Sequence, residues 1–290
     1  MRPVPFVAAS ALALWAAGCS ANVVDAATDS GSESLAVLDV RAHHAGDGVD
    51  RLDASARFVA VGKDGRDGAL DLLGLGWATS APLGACVAPR PAGTEAHAGA
   101  SARVDLRDLS PVTLGVLPEA FEGKLALEPR AFPDVAGLVS GVVFVVPASA
   151  AAPSRVDGVT LGVGGRLISG LELPDLPSKV RIVGAVNGPE GMLVGVRGFD
   201  VVVTANKGVG DDRVVLEVVR AGVLRAVCGL DPAGGAGFGG SLHLDAATVG
   251  GAGEVSLVVR SQRRILRPDA VLGLVDARLE RVVELRVVAR

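Results

Sequence analysis

The sequence predicts an all-β protein: two antiparallel β-sandwich domains of immunoglobulin-like build, set behind a signal peptide and a flexible tether. Three observations predict it. Short Val-rich runs alternate with clusters of Gly, Pro, Asp and Asn along most of the chain. Hydrophobic residues make up 49% of the 290 residues and aromatics only 3%, so the core is to be built from branched aliphatics, which favour pleated surfaces. Two-residue turn signals, Gly164-Gly165 and Asn187-Gly188, interrupt such runs.

The elements follow in order. Residues 1–18 carry one early cation, Arg2, then an apolar stretch ending in small residues, the layout of a secretory signal peptide. The stretch is shorter than the roughly 20 apolar residues of a spanning helix. It ends Ala16-Ala17-Gly18-Cys19, which resembles the bacterial lipobox, although Ala16 stands where Leu is more usual. In that pattern the chain is cut before the Cys and a lipid is attached to its thiol, so the resemblance makes Cys19 the lipidation site. Ordinary cleavage at a small-residue site, with Cys19 incidental, is the alternative. Ser20 follows, and an uncharged residue there resembles the Gram-negative signal for the outer membrane. Residues 19–34 are rich in Ala, Ser, Asp and Asn and read as a tether.

The first sandwich is expected over 35–174, with strands at Leu35–Arg41, Arg57–Val61, Arg103–Arg107, Lys124–Glu128, Gly141–Val146, Gly158–Val163 and Arg166–Leu173. The uncharged stretch Val135–Ser154 is long enough to raise a membrane span. Pro147, Pro153 and its small residues favour a buried strand and a linker instead. Pro174-Asp175-Leu176-Pro177 marks the boundary. The second sandwich is expected over 178–290, with strands at Lys179–Val186, Gly198–Ala205, Arg213–Arg220, Val223–Leu230, Ser241–Leu244, Val255–Arg260 and Arg281–Val288. In the last, Leu279, Val282 and Arg286 also fit helical spacing, but the density of valine favours a strand.

Three cysteines constrain the compartment. With Cys19 lipidated, Cys86 and Cys228 are left as a pair, which in an oxidising compartment points to one disulfide joining the two halves; two separate buried thiols are the alternative. The net charge of -4 and the absence of Tyr leave neither a basic surplus nor stacking platforms for nucleic acid.

Candidate chemistry is sparse. Gly235-Ala236-Gly237-Phe238-Gly239-Gly240 has dinucleotide-fingerprint spacing, but the residues after it read as strand, whereas the motif needs a helix N-terminus for the pyrophosphate. His43-His44 lie near Asp47, Asp50 and Asp53, yet adjacent residues on a strand face opposite ways and seldom share an ion, and His97 and His243 are distant. Lys63–Gly68 and Gly208–Arg213 read as hairpin tips. Ser241 and His243, two apart on one strand, are a bare nucleophile–base pair with no evident orienting acid. No cofactor and no metal are expected.

Several segments resemble a group of uncharacterised lipoproteins from high-GC Gram-negative bacteria. They are the lipobox-like start, Val104-Asp105-Leu106, the run Leu127–Asp134, Ser140–Phe144, Cys228-Gly229-Leu230-Asp231, Val258-Val259-Arg260 and the terminal Val-rich strand. Phe144 stands at the aromatic position of that group, and Pro232 loosens an acidic pair near Asp231. The resemblance implies a β-rich exported protein and brings no activity. The expectation is a non-catalytic outer-membrane lipoprotein on the periplasmic or surface face. It is anchored to the membrane through its lipid, with an envelope protein or glycan as partner. A hydrolase using Ser241 and His243, and a carrier of small apolar ligands, are the competing readings.

Overall fold

Alternating branched apolar and polar residues run almost unbroken from Ser32, and they form strands. The computed structural model describes residues 32–45, 48–62, 70, 73, 81–89, 104–118, 124–132, 139–183, 186–187, 193–194, 198–205, 212–230 and 238–289. The first hairpin pairs β1 (Ser32–Ala45) with β2 (Gly48–Gly62). There follow β3 (Cys86–Val87), β4 (Val104–Leu106), β5 (Val112–Leu117), β6 (Leu125–Ala126), β7 (Glu128–Ala131), β8 (Val139–Ser140) and β9 (Val142–Val145). β10 (Gly158–Val163) and β11 (Arg166–Glu172) form a tight hairpin. Beyond Pro174 come β12 (Pro177–Val183), β13 (Val186–Asn187), β14 (Leu193–Val194), β15 (Phe199–Ala205), β16 (Arg213–Arg220), β17 (Val223–Gly229) and β18 (Phe238–Leu244). The one-turn helix α1 (Ala246–Val249) is capped by the Asp245 carboxylate, and the long hairpin β19 (Gly253–Asp269) and β20 (Gly273–Ala289) closes the order.

The fold is all-β and layered, as the strand spacing predicts. One large sheet has the backbone order β3-β17-β16-β19-β20-β1-β2-β4-β8. Two smaller sheets, β11-β10-β5-β6 and β12-β15-β18, supply the second layer. The hydrophobic clusters show the stacking. Leu38, Val40, Ala277 and Leu279 of the large sheet share a core with Leu114, Leu161 and Leu171 of the four-stranded sheet. Leu216, Leu257, Val259 and Val287 share another with Val201, Val203 and Leu242 of the three-stranded sheet. Phe58 and Phe144 meet edge to face in the first core, with ring centroids 5.7 Å apart.

Pro174–Pro177 separates most residues of the first core from those of the second, and β12 begins at its last proline. The large sheet is nevertheless continuous across that point, because β19 and β20 line both cores. Ser32–Arg290 form one compact unit; Met1–Gly31, the other unit, lies outside the described residues.

Several boundaries follow the sequence closely: β10 and β16 begin and end where their patterns do. Gly164 and Gly165 have φ of 55° and 81°, the left-handed pair that a two-residue hairpin turn requires. The Val135–Ser154 stretch yields β8 and β9, and no helix among the described residues is long and apolar enough to cross a membrane.

Other features differ from the pattern. β5 forms at Val112–Leu117, in a run that carries no turn signal of its own. β19 and β20 run through Ser261–Arg278, where charges mask the alternation; Arg264 of β19 there meets Asp276 of β20 across the hairpin. The pairing is also mixed. β1 lies parallel to β20, β4 to β8 and β14 to β20. Gly273 makes the first of these possible. Its φ is 74°, and a Cβ there would sit 2.1 Å from the Ser34 carbonyl oxygen.

Candidate functional site

Strand alternation decides where each candidate side chain goes. His43 and His44 sit either side of a register irregularity in β1 and turn to opposite faces. His43 joins Asp53 (3.0 Å) and Arg51 (3.0 Å) on the surface, whereas His44 is buried on the other side, 3.4 Å from an Arg281 guanidinium nitrogen. Burial, then the Arg51 charge, lowers the His43 pKa below the usual histidine value. Asp47, Lys63–Gly68, His97 and Gly208–Asp211 lie outside the described residues; Asp212 immediately precedes β16, which Arg213 opens. Among the described residues no group of three or more His, Cys, Asp or Glu is placed to hold a metal ion.

Cys86 and Cys228 are bonded to each other. They are directly opposite in register where β3 pairs with β17, and the bridge closes a separation of 142 residues. In the chain-entropy account a loop of that size contributes about 5 kcal/mol to stability. Cys228 is fully buried in the second core.

Ser241 and His243 share the exposed face of β18, and the structure supplies the acid that the sequence did not reveal. His243 is opposite Asp200 of β15, and its Nδ1 lies 2.8 Å from the Asp200 carboxylate. Both side chains are more than half exposed. The Nε2–Cε1 edge of the ring lies against Gly198, at contact distance from where a Cβ would be. A serine nucleophile would need that Nε2 turned to its own Oγ. The arrangement is a solvated cross-strand pair. Phe238-Gly239-Gly240 lie in β18, paired to Val203–Ala205, so a strand follows the glycines where a dinucleotide site needs a helix. Gly235–Gly237 lie outside the described residues.

The most concentrated chemistry is a lattice of ion pairs on one face of the large sheet. Arg57 of β2 donates to Asp39 of β1 at 2.9 Å. Arg41 of β1 meets Glu280 of β20 at 3.1 Å. Arg260 of β19 bridges Glu280 (3.0 Å) and Glu217 of β16 (2.8 Å), and Gln262 also donates to Glu280. Arg264 grips the buried Asp276 with two hydrogen bonds, 2.8 and 2.6 Å, and Arg278 adds a third contact at 3.3 Å.

The opposite face carries a polar seam between the two cores. Arg263 makes two 2.7 Å hydrogen bonds to Asp212 and donates to the carbonyls of Glu172 and Leu173. Arg281 donates to the Pro174 carbonyl at 2.7 Å and lies 3.7 Å from Asp157. These two arginines hold the chain where it passes from the first core to the second.

The titration of these groups follows their partners. Burial raises the Asp39 pKa against the opposing charge of Arg57, and burial likewise lowers Arg57. Burial also acts on Asp276, but the hydrogen bonds and charges of Arg264 and Arg278 outweigh it and hold the carboxyl below its usual value. Hydrogen bonds donated to Asp212 raise Arg263, whereas burial lowers Arg281. Perturbed groups of this kind mark active sites only when they face a reaction space. Here each is satisfied by another residue of the same sheet or by the chain between the cores. Sequence reasoning missed them because the pairs depend on cross-strand register. The one legible signal was Arg260-Ser261-Gln262-Arg263-Arg264, a charged run continuing a Val-rich strand.

No family model matches the chain, and no curated protein matches it. Among solved structures, the yeast delta-COP-I mu-homology domain aligns with 90% of this chain and 98% of that one, at 10% identity and a TM-score of 0.23. The Fcho1 mu homology domain of Danio rerio with a bound Eps15 peptide aligns with 90% of this chain and 97% of that one, at 8% identity and a TM-score of 0.24. Likenesses this faint carry no argument about what the chain binds.

Proposed function

We propose that the protein is a non-catalytic exported lipoprotein, tethered through a lipid on Cys19, that serves the cell envelope by binding or by structural support. The observation that carries the non-catalytic part is the fate of the polar side chains. The perturbed carboxylates and guanidinium groups brace one sheet and the passage between two cores. The Ser241–His243 pair lies open to solvent with its acid. The Cys86–Cys228 bridge supports export, since such bonds persist in oxidising compartments. A lipid on Cys19 would hold a layered β domain at an outer-membrane surface without a spanning segment. The loops at the ends of its sheets are then the natural contacts for an envelope protein or glycan.

Replacing the acylated thiol tests the anchor. Cys19→Ser should move the folded domain out of the membrane fraction of its own cells. Ser241→Ala should leave the cell phenotype of the parent protein intact; loss of that phenotype with unchanged protein level would favour the hydrolase reading instead.

A further inference from the structure

Order along the large sheet is not order along the chain. In β3-β17-β16-β19-β20-β1-β2-β4-β8, the hairpin β19–β20 stands between strands made after Pro174 and strands made before it. β16 pairs with β19 and β1 pairs with β20, so the hairpin joins the two groups. β3 is the exception in that order. It precedes Pro174 but lies at the far edge, where Cys86 is bonded to Cys228, and that contact too waits for a residue 142 positions further on.

Both cores use the same hairpin. The first takes Val275, Ala277 and Leu279 from it, and the second takes Leu257, Val259 and Val287. Between these apolar stretches Arg263 and Arg281 hold the carbonyls of Glu172, Leu173 and Pro174. Without the hairpin, β1 would lose the partner on one side. Leu35, Ala36, Val37 and Leu38 are each no more than 2% exposed in the fold, so the edge left behind would be apolar on both faces. Such an edge is a template for pairing with other chains. β1 and β20 are also about 240 residues apart, and contacts between distant segments form slowly.

We propose that β19–β20 is a keystone on which the folding of both halves waits, so that the chain stays extended, and able to pass a membrane channel, until that hairpin has been made. The purpose rests on the exported reading; the coupling does not. Independent domains fold from the N-terminus as they are made. At about 5–20 residues per second, roughly 12–50 s separate the end of β1 at Ala45 from that of β20 at Ala289. A self-sufficient first half would fold in that time and block its own transport. A first half that lacks one wall of its core and one side of β1 does not.

The test uses the purified full protein with its disulfide intact. During refolding from urea, amides are pulse-labelled with deuterium and read by mass spectrometry of fragments. Protection in β1, β5 and β10, and in β15 and β18, should rise together with that in β19 and β20, with half-times within about two-fold. Protection of either half at least ten-fold sooner than the hairpin overturns the proposal. Gly273→Ala probes the coupling in the native state, since its Cβ would meet the Ser34 carbonyl oxygen and push β1 off the hairpin. The slowest amides of β5 and β10 and those of β15 and β18 should then exchange faster by the same factor, about ten-fold. Faster exchange confined to the first half, or no change in either, contradicts the coupling. The mass of the N-terminal peptide reports separately whether the chain was cut and lipidated at Cys19. Halves that fold apart would therefore remove the keystone and leave the exported reading standing.

Discussion

Asp39 and Asp276 lie on one face of adjacent strands, and their carboxyl groups titrate in opposite directions. Asp39 has one guanidinium partner, Arg57 at 2.9 Å, and burial wins: its pKa rises, and that of Arg57 falls. Asp276 is also buried, yet three contacts from Arg264 and Arg278 pull its pKa down. The seam on the other face repeats the contrast with the charges reversed. Hydrogen bonds to its two-pronged carboxylate raise the Arg263 pKa, while burial lowers that of Arg281, which has a carbonyl and a carboxylate at 3.7 Å. Burial alone does not decide whether a charge stabilises this fold. The number and geometry of its partners do.

The largest expected effect is at Asp276. Asp276→Asn leaves two arginines facing a neutral group and should cost about 3–5 kcal/mol in chemical denaturation. Asp39→Asn should stay within about 1 kcal/mol of the parent, because that carboxylate is held less well in the fold than in water. Equal losses at the two sites would break the comparison. The covalent bridge gives a scale: Cys86→Ala with Cys228→Ala should cost about 2–5 kcal/mol by the same measurement. At the seam, Arg263→Met should cost more than Arg281→Met, by about 1 kcal/mol. Either should speed hydrogen exchange at the amides of residues 172–176 before it does so in β20.

The smallest effects are in the pH dependence, where the signs separate the two carboxylates. Asp276 has a folded pKa below 3.8, so its contribution is fully present above about pH 4 and is lost as pH falls through the folded value. The Asp276→Asn deficit should therefore shrink in acid. Asp39 has a folded pKa above 3.8, so the fold takes up its proton first and gains stability as pH falls towards 3.8. Asp39→Asn should compare with the parent less favourably at pH 3.5 than at pH 7. His43, lowered from 6.5, should make the parent lose stability as pH falls from 6.5 towards the folded value. Urea midpoints across this range read all three.

What the sequence made legible is what local patterns encode. Gly164-Gly165 specified a turn because two left-handed residues in succession require glycine or its few substitutes. His43 and His44 parted because a strand alternates. Cys86 and Cys228 paired as the two thiols left when Cys19 is set aside. The parallel contact of β1 with β20 had no such signature, since strands from opposite ends of the chain need no turn between them. The ion-pair lattice was hidden for a related reason. Arg260, Glu280 and Glu217 are far apart in sequence and meet only in one register, which a slip of one residue would undo. The Asp200–His243 pair was invisible until β15 and β18 were known to be neighbours.

The buried charges account for how the domain is held together, and the proposed anchor accounts for where it is held. The anchor is the claim on which the functional reading stands, and mass spectrometry of the protein extracted from its own membranes tests it most directly. The account predicts an N-terminal peptide that begins at Cys19 and carries the mass of a diacylglycerol thioether. A chain that begins elsewhere, with an unmodified Cys19 thiol that alkylates freely, would contradict it.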